Sequence, residues 1–177
     1  RAGMTPVVSY WSSDDMLWMD GKGSDGQGPC GRDDASACTD SVRFAGFCVS
    51  EIGEECASPA DAAAPQPAPA GGGAQTTPAT PSPAVSTCPG GVSLEGYGDV
   101  YLVNAKWNAL GDPAGDVKID DGKVVPHIKG RSYFATKCSA GAYDPADYLA
   151  LNLLGKSIAY TVDLSGAGCG CNAAFYL

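Results

Sequence analysis

On both sides of a central Pro- and Ala-rich stretch, apolar positions fall in short runs of β type, not at helical spacing. GMTPVVSYW (3–11) is apolar and β-branched, with Pro6 near its start, where a missing N–H is tolerated. SVRFAGFCV (41–49) alternates, which predicts Val42, Phe44 and Gly46 on one face and Arg43 and Ala45 on the other. DVYLVNAKW (99–107) puts Tyr101, Val103, Ala105 and Trp107 on one side of a pleat, and Val100, Leu102, Asn104 and Lys106 on the other. GRSYFATKC (130–138), SIAYTVDL (157–164) and CNAAFYL (171–177) are β-rich as well. DVKIDDGKVV (116–125) carries Asp-Gly between short alternating arms, a strong hairpin signal. A helical turn or two is predicted only at DPADYLALNLLG (144–155), with Asp144 as cap, Pro145 at the first helical position and Gly155 as stop. Many short strands separated by turn residues predict an all-β sandwich.

Residues 57–87 interrupt this pattern. They contain no aromatic residue, and Val85 is their only large aliphatic, so they cannot bury enough apolar surface to offset the entropy of ordering. Pro, Ser and Thr here favour an extended, O-glycosylated spacer. The chain therefore divides into a head of residues 1–56, a linker of 57–87 and a tail of 88–177. The head is too small to hold a core comfortably by itself.

A net charge of −9 disfavours nucleic acid and anionic membranes as partners but is compatible with neutral polymers such as glycans. No apolar run is long enough to cross a bilayer as a helix. The 8 cysteines, at 30, 38, 48, 56, 88, 138, 169 and 171, make no paired CxxC pattern, and His127 is the only histidine. An even count in a Gly-rich acidic chain predicts disulfides and a secreted protein, with zinc at Cys169–Cys171 as the weaker alternative. No metal or cofactor is predicted.

The chain has no nucleophile elbow, P-loop or dinucleotide fingerprint. DGKGSDGQG (20–28) lacks the closing glutamate of a calcium loop and reads as turn chemistry. Glycoside hydrolysis needs two carboxyl groups ~5–10 Å apart. Glu51, Glu54 and Glu55 crowd the linker border, Glu95 stands alone, and no strand carries an obvious pair. Trp11, Trp18 and Trp107 are the other candidates. Indole stacks on the apolar face of a sugar while short polar neighbours orient its hydroxyls, although the same rings would also serve as sandwich core.

GMTPVVSYWSSDDMLWMDGKG, then GPC, then SVRFAGFCVSEIG resemble the final part of a glycoside hydrolase family 7 catalytic domain, the fold of cellobiohydrolases and endoglucanases. GDVYLVNAKWNAL, GRSYFATKC and YLALNLLGKSIAYTVDLSGAGCGCNAAFYL resemble the beginning of the same family. The Met16–Asp20 motif and the VDLSGAGCGCNAAFYL run carry the likeness most specifically. The order is reversed. Either this is the end of one copy, a spacer and the start of the next in a tandem array, or a circular permutation in which both flanks build one abbreviated sandwich.

The resemblance implies a secreted cellulase-type protein with a concanavalin-like jelly roll, acting on β-1,4-glucan, with neighbouring copies as partners under the tandem reading. It implies that Trp11, Trp18 and Trp107 stack on glucose units and that Asn172, Tyr176 and Arg131 contact substrate. Asp14 would bind sugar hydroxyls. For a permuted single sandwich it also implies a Cys30–Cys169 disulfide. The family's Glu-x-Asp-x-x-Glu strand is missing and Ala109 stands at a second tunnel-entrance tryptophan position, so the chain alone is expected to be inactive. A non-catalytic glycan-binding or extracellular structural module is the alternative.

Overall fold

The computed structural model describes residues 3–23, 26, 28–56, 86–105, 115–140 and 144–177. Their strands are β1 (Val7–Ser12), β2 (Arg43–Glu51), β3 (Gly90–Leu94), β4 (Gly98–Asn104), β5 (Val117–Asp120), β6 (Lys123–Pro126), β7 (Gly130–Ala135), β8 (Lys156–Asp163) and β9 (Cys171–Tyr176). They form two antiparallel sheets, ordered β3-β4-β7-β1-β9 and β5-β6-β2-β8. The predicted all-β sandwich is what the chain forms.

Head and tail interleave. β1 lies between β7 and β9, and β2 lies between β6 and β8. Each sheet thus holds one head strand flanked by tail strands, so neither segment closes a core without the other. The inner faces meet in one apolar cluster that includes Val8 and Tyr10 of β1, Phe44 and Phe47 of β2, Leu102 of β4 and Phe134 of β7. Outside β2, period-two alternation places these residues inward at every second position.

Local chemistry explains most of the boundaries. The β5–β6 hairpin turns on Asp121 and Gly122, whose φ angles of 49° and 70° are those of a type I′ turn. β2 departs from simple alternation. Its register with β8 shifts between Ala45 and Cys48, and Gly46 takes a φ of 61°. This bulge inverts the pattern, so Phe47 and Val49 join the core in place of Gly46 and Cys48. The predicted helix at 144–155 is only a 3-10 turn, Pro145–Asp147. Asp144 caps it as expected, accepting from the Ala146 N–H at 2.9 Å. The following residues are drawn off into bridges, Tyr148 to Ala135 and Leu151 to Met4, and Gly155 instead turns the chain into β8.

All eight cysteines are paired, as Cys30–Cys169, Cys38–Cys171, Cys48–Cys56 and Cys88–Cys138. Cys169 and Cys171, on which the zinc alternative rested, are thus both disulfide-bonded. Four such bonds point to an oxidising environment. Cys30–Cys169 and Cys38–Cys171 join head to tail. A protease site engineered within 57–85 and then cut is therefore expected to leave one band on a non-reducing gel and two bands after reduction. Two bands without reductant would show that these crosslinks do not form.

The two lateral sides of the sandwich differ. At the β3/β5 side the turn from β3 to β4 is bonded to the opposite sheet. The Glu95 N–H donates to the Phe47 carbonyl at 2.9 Å, and the Val49 N–H donates to the Glu95 carbonyl at 2.8 Å. Gly96 is required there, because its φ is 79° and a Cβ would sit 2.0 Å from the Val49 oxygen. At the other side β8 and β9 are the last strands of their sheets.

Candidate aromatic and polar binding face

The outer face of the five-stranded sheet is set by the register of three strands. Trp11 lies opposite Asn172, Ser9 lies between Ala174 and Arg131, and Val7 lies between Tyr176 and Tyr133. Paired residues in an antiparallel ladder share a face. Trp11, Arg131, Asn172 and Tyr176, four of the residues singled out from sequence, therefore lie on one face, with Tyr133 among them.

Arg131 reaches across β1, and its guanidinium carbon lies 5.6 Å from the centre of the Tyr176 ring. Beneath it Ser9 and Val7 are only 3% and 4% exposed. The hydroxyls of Ser9 and Tyr176 are buried without a hydrogen-bond partner among the described residues. Burying a hydroxyl unpaired costs about 1–3 kcal/mol, so both would gain from an incoming polar group. Tyr133 stacks on Tyr148, with centroids 5.0 Å apart and planes at 6°. Burial pushes the Tyr133 phenol above its ordinary pKa, against the pull of the Arg131 guanidinium.

Trp18 is carried differently. It lies in a 3-10 turn, Leu17–Met19, after β1 and is 77% exposed. Backbone hydrogen bonds and one buried side chain hold this turn in place. Met16 is buried, its N–H donates to Asp33, and Asp20 accepts from the Cys30 N–H at 3.0 Å. Met16, Met19, Asp20 and Asp33 line a cleft of about 100 Å³ with Asn172. The turn bearing Trp18 therefore stands beside the Asn172 end of the face. Asp14 is engaged in the same scaffold, accepting from the Ala35 N–H at 2.8 Å. Trp107 lies outside the described residues, as does the Ala109 position. The Cys30–Cys169 bond implied by the resemblance is present and lines this cleft.

Carboxylates are sparse on this face. Among the described strand residues that point outward, only Asp99 at the start of β4 carries one, opposite Ser93. In the adjoining cleft one oxygen each of Asp20 and Asp33 accepts a backbone N–H. His127 sits apart, its Nδ1 2.8 Å from Asp40, in a contact that joins the end of β6 to the head.

The sequence reading missed Ser9, Tyr133 and Tyr148. Ser9 and Tyr133 were accessible in principle, because each lies two residues from a singled-out residue on the same strand. Tyr148 was not, because it reaches the face through an irregular segment.

Fold and face together define a disulfide-stapled β-sandwich that presents aromatic rings, a guanidinium and hydroxyls on one sheet. Comparison with protein-family models, curated proteins and solved structures gives no match. The likeness to glycoside hydrolase family 7 is carried by the motifs alone.

Proposed function

We propose that this chain is an extracellular glycan-binding sandwich that holds β-1,4-linked glucan on the outer face of the five-stranded sheet without cleaving it. One observation carries the reading: Trp11, Arg131, Asn172 and Tyr176 share a face with the buried hydroxyls of Ser9 and Tyr176, which have no hydrogen-bond partner among the described residues. An indole offers a platform for the C–H face of a glucose ring, while amide, guanidinium and phenol groups suit its hydroxyls. The glucan assignment comes from the family 7 motifs, and the extracellular assignment from four disulfides in an acidic chain. The second reading is a portion of a retaining cellulase with its acid and nucleophile elsewhere. It is favoured by the edges of β8 and β9, beyond which no strand pairs among the described residues and where a larger sheet would continue.

Titration with cello-oligosaccharides tests the proposal. The intact chain is expected to bind and to release no reducing sugar. Trp11→Ala is expected to weaken binding about tenfold, equivalent to ~1.4 kcal/mol, with the fold retained by circular dichroism. Absence of binding by the intact chain, or unchanged affinity in folded Trp11→Ala, would remove the face from consideration. Release of reducing sugar would favour the enzyme.

A further inference from the structure

The lateral side of the sandwich formed by β8 and β9 is built differently from its opposite. At the β3/β5 side, where β3 and β5 are likewise the last strands of their sheets, the Glu95 backbone is bonded to β2, which ties the two sheets together. At the other side, among the described residues, β8 pairs only with β2 and β9 only with β1, so each presents an unpaired backbone edge. Side chains that should be core are uncovered there. Tyr160 points inward against Phe44, Phe47 and Phe175, yet is 39% exposed. Its ring lies 4.5 Å from that of Phe175, so the seam between the sheets is lined by an aromatic pair facing solvent.

Natural edge strands are usually protected by charge, proline or a bulge on the free side. Here Ser157–Val162 and Cys171–Tyr176 contain neither a charged residue nor a proline. The charges of β8 stand at its ends, Lys156 beside Glu51 and Asp163 opposite Arg43. A single extended peptide would pair with one edge and leave the other bare. An occupant that satisfies both must offer two strand edges at the ~10 Å spacing of packed sheets.

We infer that this side is the interface of a symmetric dimer of the chain, in which β8 pairs with β8 and β9 with β9 of a second copy. A two-fold axis perpendicular to the sheets makes both pairings antiparallel, keeps each inner face inward and joins the two cores across Tyr160 and Phe175. It also brings the Lys156 end of each β8 to the Asp163 end of its mate, so a chain of net charge −9 sets no like charges together at this edge. The contact is isologous, so it closes at two copies by its own two-fold symmetry.

Sedimentation of the full chain between 1 and 100 µM, without glycan, tests this directly. The expected mass is twice 17.9 kDa. Ala159 and Thr161 are exposed and lie on the outward side of β8. Ala159→Lys/Thr161→Lys sets lysines of the two copies against each other and is expected to raise the dimer Kd at least tenfold, an effect reduced by salt. Thr161→Lys alone gives a smaller rise if the double variant folds poorly. Ser93→Lys on β3 is the control and keeps the wild-type mass. A monomeric wild-type chain at 100 µM overturns the inference. So does a folded β8 variant that dimerises as tightly as wild type.

Discussion

Replacing all four cysteines of Cys30–Cys169 and Cys38–Cys171 with alanine is expected to destabilise the protein by more than the two single-bond losses added together. The bonds span 139 and 133 residues, so either one alone closes the large loop between head and tail. On the chain-entropy account that closure is worth about 5 kcal/mol. With one bond present, the other closes only a small additional ring of about ten residues, worth about 3 kcal/mol. Loss of Cys38–Cys171 or of Cys30–Cys169 alone should therefore cost about 3 kcal/mol, and loss of both about 8 kcal/mol. Domains of this size have total stabilities of roughly 5–15 kcal/mol, so the four-alanine variant should be largely unfolded at 37 °C. Urea denaturation of the three variants measures this. A four-alanine variant whose loss equals the sum of the singles would show that the unfolded ensemble keeps head and tail together without the bonds.

The same interleaving explains which parts of the molecule were legible beforehand. Strands β4, β5, β6, β7 and β9 are local statements of alternation and turn chemistry. Asp121-Gly122 fixes its hairpin within four residues, and Tyr101 and Val103 fall outward as their spacing demands. β2 was legible only as far as Phe44, because the Gly46 bulge answers a distant demand: Phe47 must turn inward to meet Phe134 and Phe175. The segment after Pro145 read as helix because Asp144, Pro145 and Gly155 supply local cap, first-position and stop signals. Bridges to Ala135 and Met4 decided it, and neither partner is near in sequence.

The candidate face follows the same division. Trp11, Arg131, Asn172 and Tyr176 were found through motif resemblance, but their convergence depends on β1 lying between β7 and β9, a pairing across 119 or more residues. Asp14 shows the converse. A carboxylate beside a tryptophan suggests a sugar contact, yet its Oδ1 holds the Ala35 N–H, because two irregular loops without ladder hydrogen bonds need side chains to fasten them.

Phe134→Ala is expected to be the most damaging single core substitution, at about 3–5 kcal/mol. Phe134 is fully buried in β7, and its ring meets those of Phe47 at 5.1 Å and Phe175 at 6.2 Å, both edge to face. One side chain thus touches the head strand of the opposite sheet and the last tail strand of its own. Its neighbours cannot collapse to fill the gap, because the strands on either side are fixed by their ladders: Tyr133 and Ser132 pair with β1, and Leu102 lies opposite Phe134 itself. Phe134→Leu keeps most of the volume and should cost less than about 1.5 kcal/mol. Tyr160→Ala is the informative comparison. Its ring belongs to the same aromatic group but is partly exposed at the open side, so under conditions where the chain is monomeric it should cost clearly less than Phe134→Ala. At concentrations where the dimer forms, Tyr160 becomes buried and its cost should rise toward that of Phe134, whereas the Phe134 penalty stays the same. Urea midpoints measured at low and high protein concentration separate the two. A Phe134→Ala loss below that of Tyr160→Ala at low concentration would mean that the sandwich is held mainly from its open side, contrary to the packing around Phe134.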